Sequence, residues 1–182
     1  MKTESNVLYI LRLALTLLVI TAVVAVALAG VNSVTAPAIA KLNAQKTQDA
    51  IETVLPGGGE AMEYITFVDN IAMAYHNENG YAVQVTPSGF DNTITMMVGV
   101  DNDGKVLGIS VISHTETAGL GAVAAATTSA GEAFRGQFVG VSGSVSVSKD
   151  GGQMDAITGD TITSRAVCAG VNDALACVAA MG

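Results

Sequence analysis

Between Arg12 and Lys41 the chain carries no charged residue. The centre of that interval, Leu13 to Ala29, is apolar apart from Thr16 and Thr21. Extended to Val7 and Val34, the run exceeds the roughly 20 residues that a helix needs to cross a bilayer. A cleaved signal peptide is the competing reading. Lys2 and Arg12 would form its basic region, and Ala27-Leu28-Ala29 ahead of Gly30 its small-residue cleavage site. The run is longer than a usual signal core, so an uncleaved anchor is expected. Arg12 stands closest to the apolar run, which places the N-terminus in the cytoplasm and everything after Pro37 outside the membrane. Three parts follow: a cytoplasmic tip and transmembrane helix over 1–36, a membrane-proximal stalk helix over 37–60, and an extracytoplasmic domain over 61–182.

Charge narrows what that domain can meet. From Lys41 onward six basic residues oppose fifteen acidic ones, a net of about −9. Such a surface repels nucleic acid and anionic lipid heads, which removes nucleic-acid binding from consideration. Only 4% of the residues are aromatic and none is Trp, so the core is expected to be built from Ala, Val, Ile and Leu. Cys168 and Cys177 fall nine residues apart in one expected helix. That spacing separates them by about 13.5 Å and half a rotation. A disulfide between them is excluded while the helix persists, and two thiols alone make no zinc or iron–sulfur site. They read as small buried hydrophobes.

Pro37 is expected to end the first helix, and Ala38 to Leu55 to form a second, closed by Pro56-Gly57-Gly58-Gly59. Strands are predicted at 71–75 and 81–86 around an Asn79-Gly80 turn, and at 93–100 and 105–113 around Asp103-Gly104. A helix over 129–138, a strand over 142–148 and an Ala-rich helix over 163–181 complete the chain. Hairpins with separate helices predict an α+β domain with an antiparallel sheet and flanking helices.

Chemistry concentrates in two places. Asp155-Ala156-Ile157-Thr158-Gly159-Asp160-Thr161-Ile162-Thr163-Ser164 reads as a glycine turn running into a helix. Unpaired N–H groups and a partial positive charge make a helix start a seat for phosphate. Ser and Thr are also ordinary caps, and the segment alone leaves both readings open. The second place is His114-Thr115-Glu116-Thr117-Ala118-Gly119-Leu120-Gly121, a strand exit whose glycines allow a ligand close to the backbone. His114 and His76 read as surface loop histidines. No nucleophile–base signature, metal-ligand spacing, P-loop or dinucleotide-binding glycine pattern is present, so no catalytic residue and no metal site are expected.

Both segments resemble the FMN-binding domain shared by the G subunits of Rnf electron-transport complexes and the C subunit of sodium-pumping NADH:quinone reductase. The resemblance runs from about Tyr64 to Met181. Asp155, Thr158, Gly159, Thr161, Thr163 and Ser164 match the family's flavinylation motif, with Asp160 where alanine is usual. Glu116, Thr117, Gly119, Leu120 and Gly121 match its Glu-Thr-Pro-Gly-Leu-Gly segment, with Ala118 in place of proline. The resemblance implies an FMN attached covalently to Thr161 through a phosphoester. Thr158, Gly159, Asp160, Thr163, Glu116, Thr117, Gly119 and Leu120 would line its site, and Asp155 would be read by the flavin transferase that installs it. Asp160 then adds a negative charge beside the phosphate.

The function implied is that of an electron carrier in a membrane-bound, ion-translocating ferredoxin:NAD oxidoreductase, with the other members of the complex as partners. The protein would be a redox subunit without a reaction of its own, since the flavin supplies the chemistry. The short chain favours the Rnf-type G subunits over the quinone-reductase type. Another membrane-anchored flavoprotein is the next alternative, and a pilin-like structural protein the last.

Overall fold

A computed structural model describes residues 2–62 and 70–181, with the side chains of 2–6 left aside. Tyr64, where the family resemblance begins, and the terminal residues Met1 and Gly182 lie outside the described residues. Two compact units divide between Ala44 and Gln45.

Helix α1 (Lys2–Val54) runs through both stretches of sequence that were expected to form separate helices, with Pro37 inside it. A proline removes one backbone bond and crowds the preceding turn, but leaves the turns on either side intact. Here it lies among alanines that favour the helix, and the chain continues instead of breaking. The 53-residue helix is, among the described residues, the one with the length and apolar composition to cross a membrane. In the first unit its large apolar side chains, Leu13, Leu17 and Val24 among them, are exposed, as a lipid-facing surface requires.

The second unit is built on a five-stranded antiparallel meander, β1 (Glu60–Met62), β2 (Ile71–Asn77), β3 (Gly80–Val85), β4 (Thr95–Asp101) and β5 (Val106–Ser113), paired in sequence order. Asn77 pairs with Gly80 across a two-residue turn, and Asn77 Oδ1 accepts the Asn79 N–H at 2.8 Å. The β4–β5 turn is held by Asp101 Oδ1, which accepts the N–H groups of Asp103 and Lys105 at 2.9 and 2.8 Å.

Alternation divides the sheet between two cores. Val83, Val85, Met96, Val98 and Val100 face the larger one, with Phe134 of α2 (Ser129–Gly136) and Val167, Val171, Ala174 and Val178 of α3 (Thr161–Met181). Ala82 and Met97 point the other way and meet Ala50, Ile51, Val54 and Leu55. The end of α1 is therefore part of the domain core, not a free stalk. Gly99 permits this contact, because a Cβ there would fall 2.2 Å from the Val54 carbonyl oxygen.

The strand expected over 142–148 does not form. Val145 and Val147 are buried as the alternation implies, but the segment makes only single bridges, Lys105 with Ser142 and Val147 with Met154. Its backbone is held by a side chain instead. Asn172 on α3 accepts the Val145 N–H at 2.8 Å and donates to the Val145 carbonyl at 2.9 Å. An amide offering donor and acceptor to one residue replaces a neighbouring strand.

Both cysteines are free and buried on α3. Burial, with the Asp150 charge adding to it, pushes the Cys168 thiol up to about 11 from an ordinary 9.0. Burial alone raises Cys177. A thiol that holds its proton more tightly when folded contributes stability fully below the unfolded value. That contribution is lost as pH rises from about 9 through about 11. Thermal unfolding is expected to show the loss in that window and a shallower one in Cys168→Ala. Iodoacetamide is expected to leave the native protein unlabelled at pH 8, since the thiolate is the nucleophile. Rapid native labelling would contradict the buried, protonated state.

Candidate functional site

The turn ahead of α3 is assembled from short polar side chains. Ile157 and Asp160 face each other as a single antiparallel bridge, with the Asp160 N–H bonded to the Ile157 carbonyl at 3.0 Å. Gly159 takes φ +81° in between, a conformation that L side chains rarely adopt. Ser164, fully buried, accepts the Ile157 N–H at 2.9 Å and donates to the Asp160 carbonyl at 2.8 Å. The turn and the helix thus lock through one hydroxyl.

Helix α3 begins at Thr161, two residues earlier than expected, and the reason is Asp160. Its Oδ1 accepts the Thr163 N–H at 3.0 Å, the bond by which an Asp caps the first turn. The residue that departs from the family motif is therefore the cap. The phosphate-seat and cap readings are compatible, because cap and hydroxyl belong to adjacent residues.

Both sequence motifs meet at Thr163. Its Oγ1 lies 2.6 Å from Glu116 Oε2 and 2.6 Å from Asp160 Oδ2, so one buried hydroxyl joins segments 47 residues apart. Glu116 Oε1 accepts the Phe90 N–H at 2.9 Å, which ties in a third segment. Glycines make room on both sides of this carboxylate. A Cβ on Gly89 would lie 2.1 Å from Glu116 Oε1, and one on Gly121 would lie 2.5 Å from Glu116 Oε2 and Asp160 Oδ2. Glu116 and Thr163 are buried, their polar atoms committed to these internal bonds. Their geometry is that of a frame.

The exposed residues of the two motifs are Asp155, Thr158, Gly159, Thr117, Gly119 and Leu120, with Thr161 partly exposed. Gly119 takes φ +79°, and the Thr117 carbonyl accepts the N–H groups of Leu120 and Ala122, both at 3.2 Å. The loop so formed approaches the α3 turn, where a Cβ on Gly159 would stand 3.2 Å from Leu120 Cδ2. Gln137 holds the Asp155 backbone from both sides, accepting its N–H at 2.7 Å and donating to its carbonyl at 3.3 Å. The Asp155 side chain is left at the surface. His114 is half-buried at the end of β5, with Nδ1 out of reach of any hydrogen-bond partner. It is not the surface residue expected. His76 is exposed, its ring 4.6 Å from that of Tyr81.

A cleft of about 510 Å³ connects the motifs. Gly119, Asp155, Ala156, Ile157 and Thr158 line it together with Val123, Ala133 and Phe134. Its size and mostly apolar wall suit a planar organic ring. A larger cleft of about 660 Å³ includes Tyr81, Asn102, Leu175 and Ala179 and contains no motif residue. The smaller one is the candidate ligand site because the motif residues converge on it.

Lys149 is the residue that sequence reasoning passed over. Its Nζ donates to Thr161 Oγ1 at 2.8 Å. The next residue, Asp150, receives a two-pronged contact from Arg165, Nε to Oδ2 and Nη2 to Oδ1, each 2.6 Å. That hydrogen bond holds the Asp150 carboxyl below its ordinary range and raises the Arg165 guanidinium. A basic residue twelve positions before Thr161 gives no local signal. Only the turn Ser148–Asp150, folded against α3, brings it there.

Residues 89–176 match the model of the FMN-binding domain family. Relatives extend over most of the chain. The G subunit of the Na(+)-translocating ferredoxin:NAD(+) oxidoreductase complex of Acetobacterium woodii is 34% identical, covering 90% of this chain and 88% of its own length. The G subunit of the ion-translocating oxidoreductase complex of Methanosarcina acetivorans is 31% identical over 94% and 95%. Its counterpart in the proton-translocating ferredoxin:NAD(+) oxidoreductase complex of Clostridium ljungdahlii is 33% identical over 81% and 80%.

Proposed function

The chain belongs to the family of G subunits of ion-translocating oxidoreductase complexes, and from that premise we propose that it carries electrons through an FMN esterified to Thr161. The observation that carries the reading is the position of the Thr161 hydroxyl. It stands on the first turn of α3, partly exposed, beside a lysine ammonium and next to a helix cap. An FMN held there supplies the chemistry, because isoalloxazine takes up and releases one or two electrons. The protein's residues hold and place it. The helix start and Lys149 favour the phosphate, and the cleft lined by Gly119, Thr158 and Phe134 offers a wall for the ring.

Thr158, Gly159, Thr117, Gly119 and Leu120 are the motif residues exposed for direct contact, whereas Glu116, Asp160 and Thr163 keep the two segments in register. Asp155, presented at the surface by Gln137, is the feature a flavin transferase would read. Electron donors and acceptors would be the other members of the complex. Two of the relatives carry ferredoxin:NAD(+) oxidoreductase in their names, which supports the Rnf-type assignment over the quinone-reductase one. The family also sets aside a pilin-like role.

The test is intact-mass spectrometry of the full chain co-expressed with a flavin transferase. A single covalent FMN is expected, and protein that stays unmodified overturns the reading. We further place residues 1–36 as the membrane anchor with a cytoplasmic N-terminus, 37–60 as the membrane-proximal segment and 61–182 outside. The support is Arg12 at the N-terminal end of the apolar run and the acidic domain beyond it. In sealed inside-out vesicles added protease should spare the C-terminal domain. Its digestion there would reverse the orientation.

A further inference from the structure

We propose that Lys149 is a positioning residue for flavin attachment, providing the countercharge that receives the phosphate on Thr161; the proposal rests on the Thr161 reading above. An ammonium finds its strongest partners among anions, yet Lys149 Nζ donates to a neutral hydroxyl at 2.8 Å. The acid beside it in sequence is already matched. The Arg165 guanidinium occupies both oxygens of Asp150 at 2.6 Å, and the pair lies at the surface next to the same turn. Lys149 thus stands with its charge beside the oxygen that would become the bridging oxygen of a phosphodiester, where the anionic non-bridging oxygens of that diester would gather.

The neighbouring negative charge points elsewhere. Asp160 Oδ1 accepts the Thr163 backbone N–H, and Oδ2 lies 2.6 Å from the Thr163 hydroxyl, whose single proton is shared with Glu116 Oε2. Asp160 serves the helix cap, and Lys149 offsets the charge that Asp160 adds near the phosphate. The chain is acidic overall, so a cation at this point is a local exception to the surrounding field.

The attachment step balances as a phosphoryl transfer from a flavin dinucleotide. Thr161 Oγ1 forms a bond to the flavin's phosphorus as the P–O bond to the adenylate breaks. The hydroxyl proton passes to a base of the transferase, and adenylate leaves. Lys149 acts on the charge that gathers on the phosphate oxygens, as lysine clamps do in phosphoryl transfer. It remains beside the diester afterwards.

The full chain is to be co-expressed with a flavin transferase, and the flavin-bearing fraction followed with time by intact mass. Lys149→Met is expected to slow attachment roughly tenfold, the scale of one lost charge-assisted hydrogen bond. Lys149→Arg keeps the rate, and Lys105→Met, at the β4–β5 turn, leaves it unchanged. In fully loaded protein the ³¹P resonance of the diester moves in Lys149→Met and stays put in Lys105→Met. A merely structural role would not move that resonance. Wild-type loading of Lys149→Met, an unmoved resonance, or an Arg variant as slow as Met each overturns the proposal. Thr161→Val separates the two failures. If it still loads, the attachment reading is wrong. If it stays empty while Lys149→Met loads normally, only the role of Lys149 falls.

Discussion

Thr161→Val protein, produced with a flavin transferase, is expected to carry no covalent flavin, a loss of the whole adduct. Valine keeps the branched shape at the first position of α3 and removes only the oxygen. The side chain is partly exposed and its one hydrogen bond comes from a surface lysine, so stability should change by no more than about 0.5 kcal/mol. The neighbouring hydroxyls cannot substitute. Thr163 and Ser164 are fully buried, with their oxygens bonded inside the fold. Thr158 is exposed and is the remaining candidate in the segment, which makes Thr158→Val the matched control. It should still acquire the covalent flavin, because the Thr161 hydroxyl is intact, with loading slowed by the lost cleft contact. Intact mass and in-gel flavin fluorescence check both variants, and flavin retained on Thr161→Val would show that another residue is the acceptor.

Gly121→Ala is expected to damage stability and flavin attachment together. The added methyl would sit 2.5 Å from Glu116 Oε2, 2.5 Å from Asp160 Oδ2 and 2.6 Å from Thr163 Oγ1. These are not the loose ends of long side chains. Each is held by short bonds that join the Glu116 loop, the Phe90 loop and the first turn of α3. Making room means breaking at least one of them in a buried place, where the orphaned group cannot reach water. Overpacking of this kind costs about 1–3 kcal/mol. A lowered unfolding temperature in detergent with reduced flavin loading is the expected pair of results. A variant as stable and as fully loaded as the wild type would mean that the two motifs are not braced through this cluster.

Much of the architecture was legible because it depends on near neighbours. The charge-free run after Arg12 needs only its own composition to be a membrane-length helix, and both hairpins announce themselves by Asn-Gly and Asp-Gly turns. The failures fall where distant contacts decide. Pro37 reads as a stop, but one missing hydrogen bond does not end a helix whose later turns are buried against β4. The alternation of Val145 and Val147 reported their burial correctly, yet a strand needs a partner ladder. What stands next to them is the Asn172 amide. Asp160 reads in sequence as a charge intruding on the motif, and the helix start at Thr161 makes it a cap.

By itself the chain of residues determined the apolar helix, the antiparallel sheet and the two motifs, since turn chemistry, periodicity and motif spacing are local, while Thr161 as the candidate acceptor is what the family resemblance implies. Tertiary structure alone decided which motif residues face outward and which face each other. It seated Thr163 between Glu116 and Asp160, buried the end of α1 in the domain, and brought Lys149 to the Thr161 hydroxyl. Those outcomes depend on where separate segments converge, and the physical cost of burying a carboxylate or a hydroxyl without a partner selects the arrangement in which each finds one.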